Sequence, residues 1–359
     1  MIVASRRLLR RLAALAAAAA IALPLAACGA GSAPGGEIIA LLLPDAKTAR
    51  YETFDRPVFE ERVAELGDYR VTYANADGDA AKQQQQAESA LAAGTRVLVL
   101  DPVDSRAAAT IVNQANAQGV PVIAYDRMIE GGRLAYYVSF DNEKVGTLQA
   151  QALVQGMDAA GRGDAGILMI NGSPTDSNAA QFRTGAVRIL EDSGLRILAQ
   201  YDTPDWSPDK AQDWAEGQIT RFGDDIGGVY AANDGIAGGA ISALKAADVS
   251  PWPIVTGQDA ELAALQRIVA GDQYMTVYKA LTRQAERAAD VAVALVRGEE
   301  VVAPMEVDGT PATLLDPVAV TVDDILSTVV ADGFWTVDDI CTPAYEAACR
   351  EAGLIPATE

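Results

Sequence analysis

Nine side chains in this sequence carry the groups needed to hold a neutral, hydroxyl-rich molecule. Arg127 and Lys279 are charged donors, Asp126, Asp176 and Asp259 charged acceptors, and Asn178 and Asn233 do both. Tyr51 in KTARYETF and Trp206 in DTPDWSPDKA add flat apolar faces suited to the C–H face of a ring. Charge-assisted hydrogen bonds are the stronger kind and fix orientation in a closed cleft. Taken singly, each residue has a plainer use. Asp and Asn cap helices and turns, Arg makes surface ion pairs, and aromatic rings pack in cores. Their placement argues against the plainer use for the set. The groups that follow ten successive apolar runs are, in order, Asp45, Asn75, Asp101, Asp126, Asp141, Asn171, Asp202, Asn233, Asp259 and Lys279. Among these, Asn75, Asp101 and Asp202 keep the reading of turn or cap residues.

The elements that must position these groups are short strands alternating with helices. Strand signals lie at residues 38–43, 70–73, 97–100, 120–125 and 134–139, and a second series at 166–170, 195–200, 228–231, 254–256 and 275–278. Helical stretches occupy 80–93, 107–118, 144–157 and 178–193 between them. Near-continuous apolar strands alternating with helices imply α/β architecture with parallel sheets covered on both faces. Ten strands divide into two doubly wound lobes. Such sheets bind ligands outside the carboxyl ends of their strands. The central stretch is 120–146, where one strand signal stops at Asp126-Arg127 and the next at Asp141-Asn142. Gln83 to Gln86 read as a solvated helix face.

Composition narrows the chemistry. At 359 residues, half of them hydrophobic, the chain is globular and long enough for two domains. It has no histidine, which removes Ser-His-Asp and Cys-His catalysis and most zinc chemistry. GRGDAG at 161–166 matches a dinucleotide fingerprint letter for letter, but it precedes its strand instead of following one, so the context is wrong. There is no P-loop. Paired carboxylates for glycoside hydrolysis remain open on composition, with nothing to mark a proton donor.

The first residues read as a processing segment. Arg6, Arg7, Arg10 and Arg11 precede an apolar run, 12–23, that is too short to span a bilayer comfortably. Leu25-Ala26-Ala27-Cys28 resembles a bacterial lipobox, which implies a signal peptide over 1–27, cleavage before Cys28 and a lipid on its sulfur. Residues 28–36 are then a flexible tether on the outer face of the cell membrane. Without the four arginines, 24 basic residues face 49 acidic ones, a charge of about −25 that repels nucleic acid. Cys341 and Cys349 remain, and an even pair in an exported protein reads as a disulfide. Eight residues of continuous helix would hold their Cα atoms about 12 Å apart, against the roughly 7 Å limit of a bridge. Cys341 is therefore expected in a loop, before a helix starting near Pro343.

The runs VIAYDRMI, VSFDNEKVG, GSPTDSNAAQFR, WSPDKA, AANDGIAGGA, TGQDAELAALQRIVAG and MTVYK resemble, in order, the xylose-binding branch of the type I periplasmic sugar-binding proteins of bacterial ABC importers. The resemblance spans residues 38–335 and implies a protein that binds and does not catalyse, with neither cofactor nor metal. It implies two lobes that close on a monosaccharide by hinge bending, with lobe one at 37–141 and 280–314, and lobe two at 142–279 and 315–359 including a C-terminal tail. Carried over by position, Arg50, Tyr51, Asp126 and Arg127 grip from the first lobe. Asp176, Asn178, Trp206, Asn233, Asp259 and Lys279 grip from the second, with Tyr51 and Trp206 sandwiching the ring. Two positions depart from the family pattern: Tyr51 stands for an expected Trp, and Ser177 for an expected Asn. The implied partners are the sugar, a membrane permease, and the membrane through the Cys28 lipid alone. The protein is expected to be a monomer. Arg127→Ala is expected to abolish binding without unfolding the chain. A sugar-sensing receptor component shares such a site, and a lipid-anchored glycosidase is the enzymatic alternative. The tail 336–359 has no functional reading from sequence.

Overall fold

The computed structural model describes residues 36–356. The signal segment, Cys28, the tether up to residue 35, and residues 357–359 lie outside the described residues. The first strand, β1 (Glu37–Leu43), is EIIALLL, and its last five side chains are buried. With β2 (Tyr69–Asn75), β3 (Val97–Leu100), β4 (Val122–Tyr125) and β5 (Tyr136–Phe140) it forms a parallel array in the order β2-β1-β3-β4-β5. Apolar runs such as VLVL and VIAY are buried throughout because helices cover both faces. On one face lie Phe59 and Val63 of α1 (Arg56–Leu66) and the alanine stripe of a late helix. On the other lie Ala87 and Leu91 of α2 (Ala80–Ala92) and Ile111, Val112 and Ala115 of α3 (Ala109–Ala117).

The chain then enters α4 (Asn142–Ala159), β6 (Gly166–Asn171), α5 (Ser177–Ser193), β7 (Arg196–Asp202) and α6 (Pro208–Phe222). It continues through β8 (Ile226–Ala231), α7 (Asp234–Ala246), β9 (Ile254–Val255), α8 (Leu262–Val269) and β10 (Thr276–Tyr278). Their sheet runs β7-β6-β8-β9 around a separate core. The return helix α9 (Leu281–Arg297) packs Ala285, Ala288, Ala289 and Ala292 on the first sheet, a helical-period stripe of small residues. The fold is thus α/β with two doubly wound lobes.

Three strands after Lys279 depart from the ten-strand reading. β12 (Thr310–Leu315) adds to β5 in parallel, while β11 (Met305–Val307) closes that edge antiparallel. β13 (Val318–Val320) pairs antiparallel with β10 in a small separate sheet. β11 and β13 escape a hydrophobic-run reading because they are three-residue segments with exposed members, Met305 at 43% and Val318 at 44%, and β12, TPATLL, buries only Ala312. The glutamine run is also corrected. Gln83 is buried, donating to the Asp101 carbonyl at 2.8 Å and accepting from Val103 N–H at 2.9 Å, so one glutamine staples the strand end instead of facing water.

The C-terminal segment holds α10 (Val337–Ile340) and α11 (Glu346–Glu351). Cys341 and Cys349 are bonded across it with Cα atoms 5.8 Å apart. The second helix begins at Glu346 and not near Pro343, because the Thr342 carbonyl accepts from Tyr345 N–H in an intervening turn.

Candidate functional site

All ten side chains singled out from sequence line one cavity, together with Thr48, Phe182 and Gln258. The cause is topological: Asp126 and Arg127 follow β4, Asn233 follows β8, Gln258 and Asp259 follow β9, and Lys279 follows β10. The carboxyl ends of both sheets therefore meet at the same space.

On the first lobe, Arg50 anchors a turn spanning Tyr51–Asp55. Its guanidinium binds Asp55 through two bonds of 2.8 Å, Gln284 at 2.7 Å and Asp126 at 2.9 Å. Asp126 has φ 59°, an uncommon conformation outside glycine that Asp tolerates better than most residues. It is held by its N–H on Val138 and by Tyr137, Ser139 and Asn178 donating to its carbonyl. Burial opposes ionisation of its carboxyl, but Arg50, then Lys279 and Arg127, outweigh burial and hold it well below the usual range.

Arg127 donates to the Pro102 carbonyl and the Tyr51 hydroxyl, both at 3.0 Å. Three carboxylates surround it: Asp176 at 2.8 Å, Asp101 at 3.4 Å and Asp45 at 3.7 Å. Its Nε is in ionic contact with two of them without hydrogen-bond alignment to either. Asp101 is therefore no turn residue, which corrects the plainer reading. It is fully buried, and Asp104 accepts from the N–H groups of Arg106 and Ala107 in its place. Burial pushes the Asp101 carboxyl well up, with Arg127 pulling partly back. Asn75 and Asp202 do keep local roles, bonding Asp77 N–H and Asn171.

On the second lobe, Asp176 caps α5 through Asn178 N–H and accepts from the Trp206 indole at 2.9 Å. Burial raises its carboxyl, again offset by Arg127. Trp206, at φ 53°, lies over Gly172, where a Cβ would come within 2.0 Å of the ring. Any side chain at 172 would displace the indole. Asn233 spends its Oδ1 capping α7. Asp259, at φ 101°, pairs with the buried Lys279 at 2.9 Å. The Lys279 ammonium lies 5.4 Å from the Phe140 ring centroid and 5.8 Å from that of Phe182.

The lobes touch beside the cavity. Ser105 N–H donates to the Thr175 carbonyl at 3.0 Å, and Ser177 Oγ donates to the Met128 carbonyl at 3.1 Å. Ser177, a departure from the family pattern, thus binds across the cleft. Of the lining residues that sequence reasoning missed, Phe182 is one helical turn past Asn178, so i,i+4 spacing marks it. Gln258 stands beside Asp259, and its buried Oε1 has no partner among the described residues. Thr48 carries no comparable signal.

A family model described as "Periplasmic binding protein domain" matches residues 39–300. The chain is 37% identical over 310 residues to the D-xylose-binding periplasmic protein of Haemophilus influenzae, covering 84% of this chain and 91% of that one. It is 38% identical over 304 residues to the D-xylose-binding periplasmic protein of Escherichia coli, covering 82% and 90%. Among solved structures, it resembles a carbohydrate transporter solute binding protein from Chloroflexus aurantiacus in complex with D-glucose. The TM-score there is 0.77 at 30% identity, over 84% of this chain and 97% of that one.

Proposed function

The chain belongs to the periplasmic binding protein family, and on that premise we propose that its cleft captures D-xylose or a related pentose or hexose for an ABC importer. One observation carries the reading: charged and amide groups from two lobes converge, buried, on one shared cavity lined also by Tyr51 and Trp206. A buried polar group without a partner costs about 1–3 kcal/mol. Sugar hydroxyls relieve that cost at positions such as Gln258 Oε1, so bound sugar favours the closed arrangement over any open one. Tyr51 and Trp206 supply the faces for the ring. Relatives named for D-xylose and a structure holding D-glucose favour a pyranose.

The lobes are residues 37–141 with 280–314 and 142–279 with 315–359, hinged near Asp141, Lys279 and Leu315. Support comes from the strand ends: β5 stops at Phe140, β10 at Tyr278 and β12 at Leu315. As an extracytoplasmic binding protein it works outside the cell membrane. There we place it as a monomer tethered through a lipid on Cys28, after loss of a signal peptide over 1–27. Calorimetric titration with a panel of pentoses and hexoses tests the assignment. We expect one site per chain and tightest binding by D-xylose or a near relative; silence towards every sugar in the panel overturns the reading.

A further inference from the structure

Three aromatic rings meet just outside the cavity, and none of them lines it. Phe54 belongs to the first-lobe turn that follows Arg50, while Phe334 and Trp335 belong to the C-terminal segment after β13. The Phe54 and Phe334 rings stack with centroids 4.0 Å apart and planes 15° from parallel. Trp335 meets them edge-on at 5.1 and 5.8 Å.

The same C-terminal residues hold the second-lobe arm of the site. Phe334 packs edge-on to Tyr278, the neighbour of Lys279, at 5.2 Å. The Trp335 indole donates at 2.9 Å to the carbonyl of Ala260, the neighbour of Asp259. Asp332 accepts from the Tyr278 hydroxyl at 2.7 Å and from Arg283 of α9 at 2.8 Å. Beneath them, Val329, Ile340, Cys349 and Leu354 form a small buried core with Tyr278 and Leu281. A five-residue turn has little stability of its own, so its placement depends on what packs against it. Here Tyr51 packs with Phe59 of α1 and Ala288 of α9, while Phe54, on the turn's other side, packs on the C-terminal segment.

We propose that Phe54, clasped by Phe334 and Trp335, is a positioning residue that sets how slowly a bound ligand leaves. Through it the C-terminal segment ties the arm bearing Arg50 and Tyr51 to the arm bearing Asp259 and Lys279. This gives that segment a function and rests on the reading of the cleft as a sugar site. Encounter happens at an open cleft, whereas release requires the two arms to part, so losing the clasp acts on dissociation.

Stopped-flow binding of D-xylose separates the two rates. Phe54→Ala and Phe334→Ala should each speed dissociation by roughly tenfold, the upper range for one aromatic pair, and leave association within about twofold. The double variant should be no worse than the worse single one, because each removes the same stack. Phe54→Trp should restore slow release. If Phe54→Ala fails to fold, Phe54→Leu keeps an apolar side chain at this half-buried position and answers the same question. Unchanged dissociation, an effect confined to association, or a lowered Tm of the free protein with normal release overturns the clasp. So do losses that multiply in the double variant. A wild-type chain that binds no sugar instead removes the reading on which the clasp rests, so the two failures are distinct.

Discussion

Arg127 is 4% exposed and balances Asp45, Asp101 and Asp176 while bonding Tyr51 and Pro102. This changes what its removal should do. From the sequence, Arg127→Ala abolishes binding and leaves the fold alone. With those carboxyls stranded, breaking a buried pair costs about 3–5 kcal/mol, so the free protein should lose stability as well. Denaturant unfolding and calorimetry on Arg127→Ala and Arg127→Lys check this. Both should bind at least thirtyfold more weakly, by about 2 kcal/mol or more, and only the alanine variant should lose most of that stability. Of the ten gripping residues, seven were legible as polar groups near the end of an apolar run or inside a long motif, Tyr51 and Trp206 as aromatic faces, and Arg50 through the family resemblance alone. Asp101 was not legible, since an Asp after a strand reads equally as a cap, and only the distance to Arg127 separates the two. Gln83 misled for a related reason: polar residues in a helix report a wet face unless something buried needs their amide.

At the scale of elements, the parallel strands were legible as apolar runs, whereas the edge strands β11 and β13 were hidden by their exposure. Helix crossings were not legible at all, and the closest one bears on the site. In α4 and α5 a Cβ at Gly146 would lie 1.9 Å from the Phe182 carbonyl oxygen, and one at Gly185 1.9 Å from that of Glu143. Glycine at both positions lets the two backbones approach, and that approach seats Phe182, which lines the cavity. Gly185→Ala must push the helices apart, at a cost of about 1–3 kcal/mol typical of overpacking. Chemical denaturation should register that loss, with sugar affinity falling severalfold as Phe182 moves. Gly217, also within a helix, has nothing near its missing Cβ. Gly217→Ala should therefore stabilise by about 0.5–1 kcal/mol with unchanged affinity, separating the close approach from glycine content.

At the scale of the whole molecule, the interface between lobes is rich in buried carboxyls, and this gives stability a direction in pH. Burial pushes up the carboxyls of Asp101 and Asp176. Next to Gln273 and Thr276, burial raises Asp234 to about 7, and burial with the charge of Asp234 raises Glu261 to about 8. An unfolded chain releases these protons near pH 4, so above that the folded state holds more protons than the unfolded one. Stability then falls as pH rises: the contribution of Asp234 and Glu261 is full below about pH 4 and lost as pH rises through about 7 to 8. Asp126 acts oppositely, because its folded value is depressed; its contribution is present above about pH 4 and lost in acid. A net charge of −21 adds self-repulsion on the alkaline side. Tm of the sugar-free protein, measured at low salt from pH 4 to 9, should peak in mild acid and decline between pH 6 and 8.5. Glu261→Gln, which removes one of the raised groups and eases the other, should flatten that decline. A Tm that holds level or climbs to pH 8.5 would mean that these carboxyls are ionised in the folded protein at little cost.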